Sequence, residues 1–411
     1  MRAEILAVGD ELLSGAVTDT NSSWLAAALL EERGIPVERI QVCGDGAEET
    51  RRALEDCLGR SDLLLVTGGL GPTEDDRVRN VLAALAGTEL ETDPSALERL
   101  REAVLARGVS WTESMARQVR VPRGFLPLEN PLGQALGIEG EVLGCRIFAL
   151  PGVPAEMKAM FRRSVLPRIP PGGERALLVL TAAGEPEAAL GERLKELMAR
   201  EEPRLGITAA EGVVRIRVLA LGPGARERAE EAARLARIAL GEAYAGEGAL
   251  TLGEVVVRRL QERGLTLAAA ESCTGGLLAS TLVDVAGASR VFLGGFVAYA
   301  NQAKVDWVGV PREVLEAEGA VSKGTALALA EGAARRAGAD LGVGITGIAG
   351  PGGSVPGKPV GTVHLAWSFR GRAFHQVFRF PGGRRPVREG AVRAALWGIL
   401  DLLKGRSPGK I

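Results

Sequence analysis

Residues 62–66 read Asp-Leu-Leu-Leu-Val and run straight into Thr-Gly-Gly-Leu-Gly-Pro-Thr-Glu-Asp-Asp at 67–76. An apolar run of this length, bounded by turn residues, is a strand buried on both faces. Such a strand needs helices above and below it, and the flanking sequence supplies them. Residues 2–9 and 37–42 read as two more strands, and 22–33, 47–59 and 77–86 as helices. Asp19-Thr20-Asn21 caps the first of these helices, Gly34 stops it, and Asp10 to Gly15 reads as a polar loop. This alternation predicts an α/β layer with a largely parallel sheet.

Loops at the carboxyl ends of such strands are where α/β sheets bind ligands. Gly68, Gly69 and Gly71 let backbone approach a ligand closely. Asp75 and Asp76 follow this phosphate-sized loop, and Asp10 and Glu11 end the first strand; together they suit a hard cation such as Mg²⁺. For Asp75 alone, a solvated helix cap is the plainer reading. The segment is neither a Walker loop nor G-x-G-x-x-G. A strand at 146–150 ends in Pro151-Gly152-Val153-Pro154-Ala155-Glu156 before a helix carrying Lys158, a third loop for the same cleft. Helices are also expected at 97–107 and 112–118.

Residues 167–174, Pro-Arg-Ile-Pro-Pro-Gly-Gly-Glu, read as a linker. A strand at 175–183, a helix at 186–200, an alternating strand at 213–221 and a long Ala/Arg/Glu helix at 225–243 follow. This α+β unit has no Gly-x-x-Gly loop and no aromatic platform, so nucleic acid is not its expected partner; a spacer or dimer contact is.

The last region holds Ala-Ala-Ala-Glu-Ser-Cys-Thr-Gly-Gly at 268–276. A strand over 265–270 leads to Ser272 or Thr274 as an N-cap and to a helix from Leu277. A hydroxyl here sits beside free backbone N–H groups and a positive helix end, which suits a phosphate or an oxyanion. A simple helix cap is the bland alternative. Strands at 291–299 and 340–346, a helix at 326–338, a hairpin over 361–369 and 373–380, and a closing helix at 384–403 complete the region. His364 and His375 are the only histidines and lie within strands, so a Ser-His-Asp triad is not expected. Lys304 is the candidate base, since burial lowers a lysine pKa, and Tyr299 would relay a proton or position the amine. Strand packing for Tyr299 and a solvated turn for Lys304 are the plain alternatives. Thr346 and the glycines of 347–353 offer hydroxyl and backbone donors. Cys273 is a rival nucleophile to Ser272, because a helix amino end lowers a thiol pKa.

Gly-Asp-Glu-Leu-Leu-Ser-Gly at 9–15, Thr-Asp-Thr-Asn-Ser at 18–22, the 67–76 loop and Pro-Gly-Val-Pro-Ala-Glu-Met at 151–157 resemble the amino-terminal, molybdopterin-binding-like domain of the CinA (competence/damage-inducible) family. Ala-Glu-Ser-Cys-Thr-Gly-Gly at 270–276, Tyr-Ala-Asn-Gln-Ala-Lys at 299–304 and Gly-Ile-Thr-Gly-Ile-Ala-Gly-Pro-Gly-Gly at 344–353 resemble its carboxyl-terminal domain. The resemblance implies a multidomain α/β chain. Residues 1–170 would be the molybdopterin-binding-like α/β/α domain, 171–247 a small KH-like α+β domain and 248–411 the α/β amidohydrolase domain. It implies hydrolysis of nicotinamide mononucleotide to nicotinate mononucleotide and ammonia, with Ser272 as nucleophile assisted by Tyr299 and Lys304. Thr274, Gly275, Gly276, Thr346, Gly347, Gly350 and an arginine, Arg384 or Arg388, would contact that substrate without a cofactor. In the amino-terminal domain it implies a divalent-cation-dependent hydrolysis of ADP-ribose to AMP and ribose 5-phosphate. There Asn21, Thr67, Gly68, Gly69, Gly71, Pro72, Thr73, Pro151 and Gly152 would bind substrate, and Asp10, Glu11, Asp75, Asp76 and Glu156 the metal. Both substrates belong to pyridine-nucleotide salvage, and a homodimer is implied. The family's Phe-x-Gly-Asp-Arg motif has Gly383 in place of its aspartate here, which weakens the transfer to Arg384.

A net charge of −1 argues against a global nucleic-acid-binding field. Cysteines 43, 57, 145 and 273 form no C-x-x-C pair and read as free thiols of a reducing cytosol. With no signal-like start and no membrane-length apolar run, the chain reads as cytoplasmic. The rival class is a competence or DNA-repair accessory that catalyses nothing.

Overall fold

The computed structural model describes residues 1–409. The chain forms two compact units, 1–175 with 221–223, and the remainder.

The first unit is built on a six-stranded sheet. Its parallel strands are β1 (Ala3–Val8), β2 (Val37–Cys43), β3 (Leu63–Thr67) and β8 (Cys145–Leu150). Short strands β4 (Leu90–Thr92) and β5 (Arg120–Pro122) pair separately, and β6 (Leu126–Leu128) and β7 (Gly137–Val142) extend the main sheet antiparallel, in the order β2-β1-β3-β8-β7-β6. β1 and β3 are buried along their whole length, as continuous apolar runs require. Helices α1 (Asp10–Leu13), α2 (Asn21–Arg33), α3 (Ala47–Leu58), α4 (Val78–Leu85), α5 (Pro94–Ala106) and α6 (Pro154–Met160) fill the connections. The polar loop expected at 10–15 begins as a helical turn: Ser14 N–H closes on the Asp10 carbonyl. The helix expected at 112–118 is a 3₁₀ segment over Glu113–Val119.

In the second unit, β9 (Arg175–Ala183), β10 (Arg204–Ala210), β11 (Val213–Leu221) and β12 (Tyr244–Glu247) make a four-stranded sheet packed on α7 (Glu187–Met198) and α8 (Ala225–Leu240). The remaining sheet runs β14-β13-β15-β16-β17. β13 (Leu267–Glu271), β14 (Phe292–Val297) and β15 (Leu341–Gly347) are parallel; β16 (Thr362–Phe369) and β17 (Arg372–Arg379) form the expected hairpin. One face of this sheet packs on α9 (Leu252–Arg263), α10 (Leu277–Val283) and α14 (Arg384–Leu403), through a core including Val343, Leu365 and Trp367. The other face packs on α11 (Asn301–Ala303), α12 (Arg312–Glu318) and α13 (Lys323–Ala337). α13 lies directly on β15: a Cβ at Gly342 would come within 2.0 Å of the Ala330 carbonyl oxygen, and one at Gly344 within 2.3 Å of that of Ala326. Among the described residues no helix is long and apolar enough to cross a membrane.

Candidate functional sites

In the first unit, the carboxyl ends of β1, β3 and β8 open into a cavity of about 780 Å³. Glu11, Gly68, Gly69, Gly71, Pro72, Thr73, Asp75, Asp76, Pro151, Gly152 and Glu156 line it. The glycines of the β3 loop are geometrically required. Gly68 has φ +101°, and a Cβ there would meet the Val8 carbonyl oxygen at 2.1 Å. Asn21 and Thr67 are buried and tie the loops together. Asn21 Nδ2 donates to Thr67 Oγ1 at 3.0 Å and to the Gly152 carbonyl at 2.8 Å, and Thr67 Oγ1 donates to the Pro151 carbonyl at 3.2 Å. The Asn21 Oδ1 atom, equally buried, has no hydrogen-bond partner among the described residues.

Three of the five acids expected to hold a metal are engaged in other hydrogen bonds. Asp76 Oδ2 accepts from Thr73 N at 2.9 Å and Thr73 Oγ1 at 2.6 Å, closing the loop. Glu156 accepts from Asn130 Nδ2 at 2.7 Å. Asp10 exchanges backbone–carboxylate hydrogen bonds with Asp45, at 2.9 and 3.1 Å. Among the described residues no three His, Cys, Asp or Glu side chains converge as a ready-made metal cage. The donor chemistry nevertheless fits a hard cation completed by water and ligand phosphate. Asp45 also lines the cavity, and its carboxyl is pushed up by burial and by the charges of Asp10, Glu11 and Asp75. Asp45 went unnoticed in the sequence because it is an isolated acid after β2, outside any motif.

A second hidden residue is Arg79. It is 2% exposed, and its guanidinium donates to the carbonyls of Arg120 (2.7 Å), Leu70 (3.1 Å), Gln118 (3.0 Å) and Leu136 (2.6 Å). Burial pushes its pKa down to about 9. It fixes the backbone behind several of the cavity walls.

In the second unit, the expected residues lie at the carboxyl end of the β14-β13-β15 sheet. Ser272 N donates to the Ile345 carbonyl at 2.9 Å, setting the 272–276 turn beside the loop that follows β15. Neither Ser272 nor Thr274 caps α10. That role falls to Glu271, whose carboxylate accepts from Gly276 N (3.1 Å), Leu278 N (3.0 Å) and Ala279 N (2.8 Å). A carboxylate at a helix amino end outcompetes a hydroxyl because it complements both the unpaired N–H groups and the dipole. Those amides are therefore not free for a ligand. Thr274 Oγ1 is buried without a hydrogen-bond partner among the described residues. The Cys273 thiol is buried and pushed up to about 12, chiefly by burial, so the expected helix-end activation is overridden.

Lys304 is 1% exposed; its Nζ donates to the Tyr299 carbonyl at 2.9 Å. Burial pushes its pKa below the ordinary lysine value. The Tyr299 ring is exposed, and its hydroxyl accepts from Arg384 Nη2 at 2.7 Å, while Arg384 Nη1 donates to the Gly350 carbonyl at 2.9 Å. Arg388 Nε and Nη2 both donate to the Thr274 carbonyl, at 3.1 and 2.6 Å. Both arginines thus reach the site, each by a different loop. Thr346 Oγ1 donates to the Ala320 carbonyl at 2.6 Å. His364 Nδ1 and His375 Nε2 are 3.0 Å apart in a stacked pair, with His364 pushed down to about 4 by burial and by the neighbouring imidazole.

Residues 249–403 match the CinA C-terminal domain, 4–171 the probable molybdopterin binding domain and 178–243 the damage-inducible protein CinA KH domain. A putative competence-damage inducible protein of Symbiobacterium thermophilum is 41% identical over 430 residues, spanning 98% of this chain and 100% of the relative. The chain belongs to the CinA family. A second putative competence-damage inducible protein, from Moorella thermoacetica, is 40% identical over 97% of both chains. A CinA-like protein of Myxococcus xanthus is 40% identical over 90% of both chains. CinA membership accounts for the three-part organisation: a molybdopterin-binding-like layer, a KH domain and the CinA C-terminal sheet.

Proposed function

We propose that this CinA chain is a bifunctional hydrolase of pyridine-nucleotide salvage. The carboxyl-terminal site deamidates nicotinamide mononucleotide, and the amino-terminal cleft splits ADP-ribose into AMP and ribose 5-phosphate. The observation that carries the first activity is the buried Lys304 amine, whose only hydrogen-bond partner among the described residues is a carbonyl. A lysine kept from water loses its proton more readily and becomes able to accept one.

Ser272 Oγ attacks the carboxamide carbon as Lys304 takes its proton, and a C–O bond forms. The tetrahedral oxyanion meets the N–H of Cys273, the residue after the nucleophile. Return of the proton to nitrogen expels ammonia and leaves an acyl-serine. Water, deprotonated by the same amine, then releases the nicotinate product and restores Ser272. Arg384 holds Tyr299 and the 347–353 loop as one wall of the site.

In the amino-terminal cleft, Asp75 and Glu11, with Asp45 beside them, would hold a divalent cation that offsets charge on the pyrophosphate. The protein's part is to seat the phosphates against the backbone of Gly68, Gly69 and Gly71. The test is direct. Full-length protein should release ammonia from nicotinamide mononucleotide, and Ser272→Ala should not; a Ser272→Ala protein as active as wild type overturns the assignment.

A further inference from the structure

A cavity of about 670 Å³ lies at the end of the CinA C-terminal sheet remote from Ser272. It is bounded by Leu265 before β13 and by Arg370 in the β16–β17 turn, while Ser272 follows β13. Five strand residues separate the two ends, about 17 Å at roughly 3.3 Å per residue. No step of either proposed reaction uses this cavity.

Three of its cations have no direct carboxylate partner among the described residues, although Asp340 acts on Arg370, and Glu185, Glu242 and Asp401 on Lys404, at longer range. Arg263, Arg370 and Lys404 line it, and among the described residues none of the three is in an ion pair with a carboxylate. Arg259 and Glu242, also on the wall, are already paired, with Glu262 and Arg406 respectively. The carboxyl ends of α9 and α14 meet here, at Gly264 and Lys404. Each helix end contributes about half a negative charge, so complementing them would take roughly one cation. Three are present. Lys404 is half-buried, and among the described residues its Nζ hydrogen-bonds only to the Ala183 carbonyl, at 3.4 Å. Burial lowers its pKa, against the opposing pull of Glu185, Glu242 and Asp401.

The other wall is apolar: Leu265, Phe369 and Leu403. Arg370 already stacks on the Phe369 ring, 5.0 Å from its centroid, so a flat face and a cation are presented side by side. The volume lies within the range of small-molecule sites and exceeds what a bare phosphate ion fills.

We propose that this cavity is a second ligand site that takes a nucleoside monophosphate, with its phosphate on Arg263, Arg370 and Lys404 and its base against Phe369 and the leucines. Glu242 and Ala183 come from the segment around the β9–β12 sheet, and Arg263, Arg370 and Lys404 from the β13–β17 region, so an occupant would bridge the two.

The experiment is a calorimetric titration of the full-length protein with AMP in EDTA, beside Arg263→Ala/Arg370→Ala and Arg263→Lys/Arg370→Lys double variants. Wild type is expected to bind one more AMP equivalent than the alanine variant, or to bind that equivalent about tenfold or more tightly. The lysine variant should retain it. Equal stoichiometry and affinity in wild type and the alanine variant overturn the site, as does loss in the lysine variant equal to that in the alanine one. Inorganic phosphate is the second probe: binding as tight as that of AMP overturns the nucleoside part. Both variants leave the Ser272 and Asp75 sites untouched, so their ammonia release without AMP reports that the fold is intact.

Discussion

Arg384 and Tyr299, 85 residues apart in the chain, meet through a 2.7 Å hydrogen bond from guanidinium to phenol. The same guanidinium holds the Gly350 carbonyl, so one side chain braces the loops after β14 and β15 against each other. The aspartate that the family motif carries before this arginine is Gly383 here, yet the arginine reaches the site without it. Replacing Arg384 by alanine should therefore loosen both loops. We expect kcat/KM for nicotinamide mononucleotide to fall about tenfold, the low end for a charge-assisted hydrogen bond. Steady-state assays of ammonia release check this, and a change below twofold contradicts the bracing role.

Cys273 and Ser272 are adjacent, and the thiol is buried and held at about 12. Almost none of it is thiolate near neutrality, so Cys273→Ala should keep most deamidase activity and lose roughly 1 kcal/mol of stability through the small cavity. Thiol-directed alkylation of the native protein should likewise leave ammonia release intact. Inactivation by stoichiometric alkylation at Cys273 would transfer the nucleophile's role to the thiol.

The pH profile follows from Lys304. Its folded pKa lies below the ordinary lysine value, and the neutral amine is the competent base. Deamidase activity should rise with pH through that lowered value and level off before pH 10.5. The unfolded chain binds this proton more tightly, so the same group makes stability increase with pH over the same window. Lys304→Met should abolish the rising limb of kcat as well as most of the rate.

His364 gives a separate acid signature. Its folded pKa of about 4 is below the ordinary 6.5, so the unfolded state takes up protons first. Stability is full above about pH 6.5 and falls as the pH drops toward 4. Urea unfolding of wild type should show this slope, and His364→Asn should flatten it. An unchanged slope would show that the His364–His375 pair is not the cause.

The two activities should separate by metal. EDTA is expected to stop release of AMP from ADP-ribose while leaving ammonia release unchanged. Asp45→Asn should raise the Mg²⁺ concentration needed for half-maximal ADP-ribose cleavage several-fold, because it removes one of the crowded carboxylates facing the cleft. An Asp45→Asn protein with wild-type Mg²⁺ dependence excludes that residue from the metal's surroundings.

Much of the α/β framework was legible because β1, β3, β13 and β15 are continuous apolar runs ending in glycine loops. β7 was not. Gly-Ile-Glu-Gly-Glu-Val carries two glycines and two acids, and Gly140 is needed because a Cβ there would strike the Phe125 ring at 1.9 Å. Arg79 belongs to no motif, and the helix expected over 77–86 gave no sign of its burial. Three of its four carbonyl partners lie 39 to 57 residues away, beyond any local window. Glu271 was hidden differently: its motif was visible, but a strand-terminal carboxylate folding forward onto the next helix is a three-dimensional event. Motif residues pointed to the candidate sites; the struts behind them became visible only in the fold.

The contact of α13 with β15 bears on how this scaffold can change over time. With carbonyl oxygens of the helix resting where side chains of Gly342 and Gly344 would be, neither position can acquire even a methyl group without lifting the helix off the sheet. The floor beneath the Thr346 loop is therefore frozen to mutation. Variation in what the site accepts has to be written in the exposed stretches of the loops above it, at 301–302 and 351–357, where a new side chain meets mainly solvent.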